Sequence, residues 1–182
     1  MARSISGLIT LMLVAVASAG CASSPRGSEA RQAMREQSDA MLRTMKARDS
    51  SLEEFLARAY GYAIFPSVGK GAVIVGGAHG RGEVYVGGKF VGYAEIRQGT
   101  VGAQIGGQTF AELIAFQNQA AFERFREGKL EFTANASAVA IKSGAATATD
   151  YQNGVAVFVM PTGGLMAEAA VGGQQFSFEP AD

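Results

Sequence analysis

One cysteine, one histidine, four prolines and no tryptophan occur among 182 residues. A lone thiol excludes an internal disulfide and any cysteine-rich metal site. A lone imidazole leaves Ser–His or Cys–His chemistry a single possible base, His79. Charge of one sign is also lacking: lysine and arginine total 16, aspartate and glutamate 16. No whole-molecule field therefore draws the chain to nucleic acid, which is not an expected partner. No segment reaches the roughly 20 consecutive apolar residues that a spanning helix requires.

What is present begins with a short apolar run, Leu8 to Ala17, broken only by Thr10. Arg3 precedes it, and the small residues Ser18, Ala19 and Gly20 separate it from Cys21. A charged start, an apolar centre and a small-residue end predict a secretory signal over residues 1–20. The small residues ending in Gly-Cys resemble the bacterial lipobox, at which the cysteine thiol is acylated and becomes the new N-terminus. Cys21 is the residue carried over as the lipidation site. Ser18 stands where the lipobox commonly has leucine, and a plain signal peptide is the alternative. Lipidation accounts for a thiol that would otherwise be unpaired in an oxidising compartment, and several acyl chains hold far better than one. Residues 21–28 then form a lipidated cysteine and flexible tether, rich in turn formers. Ala22 is not aspartate, so the sorting preference of enteric lipoproteins implies the outer membrane, facing the periplasm.

From Glu29 to about Lys46 the residues are good helix formers without glycine or proline, which predicts an amphipathic helix over residues 29–48. Asp49 or Ser50 can cap a second helix through Arg58. The composition then changes, with 21 of the 24 glycines at or beyond Gly61. Short apolar segments between them predict strands: 72–75, 84–86, 90–96, 101–110, 130–141, 155–160, 165–171 and 175–178. Gly-Gly pairs at 76–77, 87–88, 106–107, 163–164 and 172–173 predict hairpin turns or bulges. One helix is predicted over residues 117–127, where Ala121, Phe122 and Phe125 have helical spacing and Gly128 supplies a stop. The alanine-rich stretch 135–149 reads either as closely approaching strands or, from Ser143 to Asn153, as a mobile loop. The expected fold is α+β, a glycine-rich, mostly antiparallel sheet with barrel-like curvature, packed by N-terminal helices and one internal helix.

The residues past Tyr60 resemble the SYLF domain. Ala59-Tyr60-Gly61-Tyr62-Ala63-Ile64-Phe65 is similar to the opening of that family, and Val68-Gly69-Lys70-Gly71 to its lysine-glycine turn. Gly80-Arg81-Gly82-Glu83-Val84 looks like its Gly-x-Gly-x-Val step, where glycines permit a turn. Gly102-Ala103-Gln104-Ile105-Gly106-Gly107, Asn135-Ala136-Ser137-Ala138-Val139-Ala140 and Gly164-Leu165-Met166-Ala167-Glu168 follow in the family's order. The resemblance runs from about Asp49 to Phe178, and a SYLF-like domain is placed at residues 49–182. It implies a phospholipid-binding module aided by an N-terminal amphipathic helix, with Lys70 as a candidate headgroup contact. No SH3 or FYVE domain accompanies it.

Catalysis finds little footing. His79 sits in a Gly-Ala-His-Gly stretch expected to be a solvent-facing turn, and it has no zinc-type spacing to Glu83 or Glu95. Gly87-Gly88-Lys89-Phe90 lacks the hydroxyl residue that a phosphate loop places after its lysine. Glu53 and Glu54 are adjacent near a helix start, where acids favour the helix dipole. No catalytic residue, metal or cofactor is expected. The N-terminal helix carries more information: Met34, Ser38, Met41, Leu42 and Met45 share one sector, with Arg31, Arg35 and Lys46 along its flank. An apolar stripe beside a basic row is an interfacial pattern, and a stripe packed on the sheet as core is the alternative. Residues 26–48 hold six bases and three acids, so positive charge lies next to the anchor. The function expected is that of a non-enzymatic envelope lipoprotein contacting anionic phospholipid headgroups through Arg31, Arg35, Lys46 and Lys70. A structural envelope protein that binds another protein is the alternative.

Overall fold

The computed structural model describes residues 25–71, 76–100, 108–130, 138–163 and 173–181. The expected signal segment, Cys21 and the predicted strands at 72–75 and 165–171 lie outside them. The element order is α1 (Ser28–Arg48), α2 (Ser51–Arg58), β1 (Gly61–Gly71), β2 (Gly76–Val86), β3 (Lys89–Thr100), β4 (Gln108–Phe116), α3 (Gln119–Arg126), β5 (Val139–Ala140), β6 (Val155–Gly163) and β7 (Gln174–Pro180). The strands form one sheet ordered β5-β6-β4-β1-β2-β3-β7. All its ladders are antiparallel except β5 with β6. The fold is α+β, as expected, and among the described residues the sheet is not closed, with β5 and β7 at its ends.

Local chemistry explains the helices. Asn118 accepts the backbone N–H of Ala121 at 3.0 Å and so caps α3, and Gly128, at φ +66°, ends the following turn. The α1–α2 corner turns on Asp49, whose carboxylate accepts the N–H and the hydroxyl of Ser51.

The first strand departs from expectation: no strand is predicted over residues 61–71 and Val68 to Gly71 are expected as a turn, yet the whole stretch is β1. Pro66 sits where the register of β1 shifts against both neighbours, between Ile64 and Ser67 on one side and Phe65 and Val68 on the other. A bulge is the place where a residue without an N–H costs little. The same bulge explains why Gly80-Arg81-Gly82 is strand rather than the expected turn. A Cβ on Gly82 would strike the carbonyl oxygen of Ile64 and lie 2.7 Å from the Phe65 ring, so only glycine lets β2 run straight past. The predicted strand at 130–141 shrinks, within the described residues, to Val139–Ala140.

Both faces of the sheet are covered, which is why β4 is buried at every residue from Phe110 to Phe116. Phe110, Ile114 and Phe116 face α3, whose Phe125 lies 4.9 Å from Phe116 and 5.3 Å from Phe176 of β7. Ala111, Leu113 and Ala115 face α1 and α2 with Met45, Leu52 and Phe55. Phe55 stacks on Tyr151 at 5.0 Å and meets Phe158 edge-on at 5.2 Å, fixing α2 over β6.

Candidate membrane-facing surface

From Ser38 to Met45 the methionine stripe of α1 turns to the core, while Met34 stays half-buried outside it. Met45 is fully buried, Ser38 nearly so, and Met41 and Leu42 pack partly buried beside them. The interfacial reading of the stripe gives way to packing, because the stripe lies on Ile64, Leu113 and Ala111 of the sheet. The basic flank is left at the surface.

Arg31 and Arg35 lie on the N-terminal half of α1, one turn apart and exposed. Arg31 Nε donates to the carbonyl of Pro25 at 3.5 Å. Arg35 lies over the Phe90 ring at 5.0 Å and 3.9 Å from the Glu83 carboxylate. Glu83 is fully buried, and Tyr85 donates its hydroxyl to it at 2.7 Å. Burial pushes the Glu83 carboxyl above its ordinary range, and the Tyr85 hydroxyl and Arg35 only partly offset that. The Ser38 hydroxyl, facing the same carboxylate outside hydrogen-bonding geometry, acts weakly in the same direction as Arg35.

Register adds cations that sequence reasoning missed. Arg81 of β2 pairs with Glu95 of β3, and His79 with Arg97, so all four share the face that carries Glu83. Glu95 is buried at 3% side-chain exposure, while Arg97 and His79 stand half exposed at 50% and 55%. His79 Nε2 lies 2.5 Å from Glu95, and Arg97 Nε donates to the same oxygen at 3.0 Å. Burial would raise the Glu95 carboxyl, but Arg97 and His79 hold it below its ordinary range. The acids of this face are thus sunk beneath cations that reach solvent. The alternation His79, Arg81, Glu83, with glycine between, is the sequence signal that would have placed them together.

The remaining predicted site residues are not part of that group. Lys46, on the last turns of α1, pairs with Glu53 at 3.4 Å. Lys70 occupies β1 between Ala78 and Gln108. That end of the strand is about 30 Å from Gly61 at ~3.3 Å per residue. His79 is a strand residue rather than the expected turn residue, and it does meet one carboxylate, Glu95. Among the described residues no three His, Cys, Asp or Glu side chains come close enough to hold a metal. No described helix is long and apolar enough to cross a membrane. A cleft of about 800 Å³ opens between α3 and residues 148–157. Its cations are turned to the protein, Arg124 to the carbonyl of Asn153 and Lys129 to Glu127.

The described residues thus make an α+β scaffold, a sheet with helices on both faces and a cation-topped surface beside α1. Residues 97–181 match the family model Ysc84, described as Las17-binding protein actin regulator, whose domain is SYLF. The chain is 29% identical over 150 residues, 81% of its length, to Beta cell expansion factor A of Aeromonas veronii, and spans 57% of that relative. The family-model match covers 85 of the 182 residues, a little under half of the chain, and it is to the SYLF domain. SYLF domains are in general lipid-binding or protein-binding and generally non-enzymatic. The family match begins inside β3, yet β1 and β2 pair into the same sheet, so the folded unit is longer than the match.

Proposed function

We propose that this chain is an envelope lipoprotein whose SYLF domain binds phospholipid, with anionic headgroups meeting basic residues on and beside α1. Residues 1–20 are removed, Cys21 is acylated, and the domain lies at the outer membrane facing the periplasm. The observation that supports the headgroup contact is the burial pattern around α1. Glu83 and Glu95 are buried while Arg35, Arg97 and His79 stay half exposed, and Arg31 and Arg81 are exposed. A surface so built presents positive charge although the chain as a whole is neutral. Each cation close to an anionic leaflet gains about 1 kcal/mol, so a few suffice for a salt-sensitive attraction. Lys46 and Lys70 are outlying contacts in this reading, and Asp39 of α1 is the acid that tempers it.

The test is flotation of an acyl-free chain starting at Ser23 with anionic and neutral vesicles. Anionic preference that fades with salt supports the reading. A second reading, docking of an envelope protein on the β7 edge, rests on β7 having, among the described residues, only β3 as a strand neighbour. Co-purification with a protein and no flotation favours that reading.

A further inference from the structure

The β2–β3 turn is made by Gly87 and Gly88, at φ +56° and +75°, and a Cβ on either would meet nothing within 4 Å. The outward side of the turn is therefore open, while its base is held by the Gly87 N–H, which donates to the Tyr60 carbonyl at 3.1 Å. A hairpin tip in water is ordinarily flanked by polar residues, but here Tyr85, Val86, Phe90 and Val91 flank the glycines, all partly exposed. Val86 and Val91 lie on the α3 face of the sheet and Tyr85 and Phe90 on the α1 face. Tyr62 extends the second group, stacked on Tyr85 at 5.0 Å, while Phe90 meets Tyr85 edge-on at 5.9 Å. Lys89 is exposed at the tip, and the Arg35 guanidinium lies over the Phe90 ring.

We propose that the β2–β3 hairpin tip, residues 85–91, is a wedge that enters the interfacial zone of an anionic bilayer. The inference rests on the phospholipid-binding reading and names the part of the surface that enters the lipid. Val86, Val91 and Tyr85 pack part of their surface on the core, and the apolar surface that they and Phe90 leave exposed on two opposite faces of one tip is covered by a medium that closes round it, as lipid does and a rigid partner's groove does not. The tip's backbone is paired internally, Val86 with Lys89, so it offers no ladder for an added strand. Tyrosines and long cationic side chains are the groups that settle at headgroup level with their apolar parts buried. Tyr62, Lys89 and Arg35 supply such groups beside Phe90, while Tyr85 turns its hydroxyl inward to Glu83.

The chain has no tryptophan, so Phe90→Trp installs a sole reporter. The variant is made in the exported chain carrying Cys21→Ser, so that no acyl group holds it, and mixed with phosphatidylglycerol-rich vesicles containing lipids brominated at defined depths. The expected result is co-flotation, a blue shift of the emission, and quenching strongest for bromines near the headgroups. Phe90→Ser should lower vesicle partition about tenfold. Co-flotation with unshifted, unquenched emission overturns the wedge and leaves the phospholipid reading standing. Absence of flotation at low salt overturns both. Should Phe90→Trp unfold the sheet, as circular dichroism would reveal, Lys89→Trp at the exposed tip distinguishes the same outcomes.

Discussion

Asp49 Oδ2 accepts the backbone N–H of Ala146 at 2.7 Å, tying the α1–α2 corner to a turn 97 residues away. The other oxygen accepts from Gly144 and Ser51, and the Ser51 hydroxyl in turn accepts from Thr147. Asp49 is fully buried, so its loss leaves the buried Ala146 N–H without an acceptor. Asp49→Ala should cost about 3 kcal/mol. Differential scanning calorimetry should then find the melting temperature lower by about 6–12 °C. An unchanged melt would mean that residues 143–148 are held by something else.

The same carboxylate sets part of the acid limit. Burial acts to raise its pKa, but the Ser51 hydroxyl and the N–H groups of Ala146, Gly144 and Ser51 prevail and hold it below 3.8. A carboxyl depressed in the folded state contributes stability above its unfolded value and loses it as pH falls toward the folded value. Glu95 behaves alike. Asp49→Asn should therefore be less stable than the parent near neutrality and converge on it below pH 3.8. Parallel curves at all pH values in urea titrations would contradict this.

Glu83 has the opposite sign. Its carboxyl is raised by burial, so the unfolded chain ionises first as pH climbs past 4.5 and the folded state loses ground. Glu83→Gln keeps an acceptor for the Tyr85 hydroxyl and removes the buried charge. It should melt higher than the parent at neutral pH, with the difference vanishing below pH 4.5. A lower melt at neutral pH would mean that Arg35 over-compensates the burial.

Gly82 and Gly69 separate crowding from mere glycine content. A Cβ at Gly82 meets the Ile64 backbone, whereas one at Gly69 meets nothing within 4 Å. Gly82→Ala should cost about 1–3 kcal/mol by overpacking, and Gly69→Ala should be near neutral in the same denaturant titration. Equal effects would remove the β1 bulge as the reason for the glycine.

Much of the fold was legible where a single element carries its own signal. The three helices follow from period, caps and the Gly128 stop, all of which act within a few residues. β1 was not legible because its proline and glycines answer to a bulge that only the neighbouring strands explain. The long β2 was hidden in the same way, since Gly80 and Gly82 are dictated by Ile64, Phe65 and Val68 across the ladder. For the candidate surface, Arg31 and Arg35 could be read from the helical wheel of α1. Arg81 was signalled only by its alternation with His79 and Glu83, and Arg97 could not be read at all, because it joins them only through the β2–β3 register. The wheel also could not say which way the methionine stripe turns, and Met45 settles it by being fully buried.

If cations around α1 hold this domain to anionic phospholipid, flotation of the acyl-free chain must depend on salt and on those side chains. Charge removal is best made with Arg31→Gln, Arg35→Gln and Lys46→Gln, since a carboxylate at position 35 would face the buried Glu83. Three neutralised contacts at about 1 kcal/mol each should lower partition onto phosphatidylglycerol vesicles by roughly a hundredfold. The parent should bind those vesicles at low salt, release them as salt rises, and leave neutral vesicles unbound. Equal binding by parent and triple variant, or no binding by the parent in dilute buffer, would refute the headgroup contact.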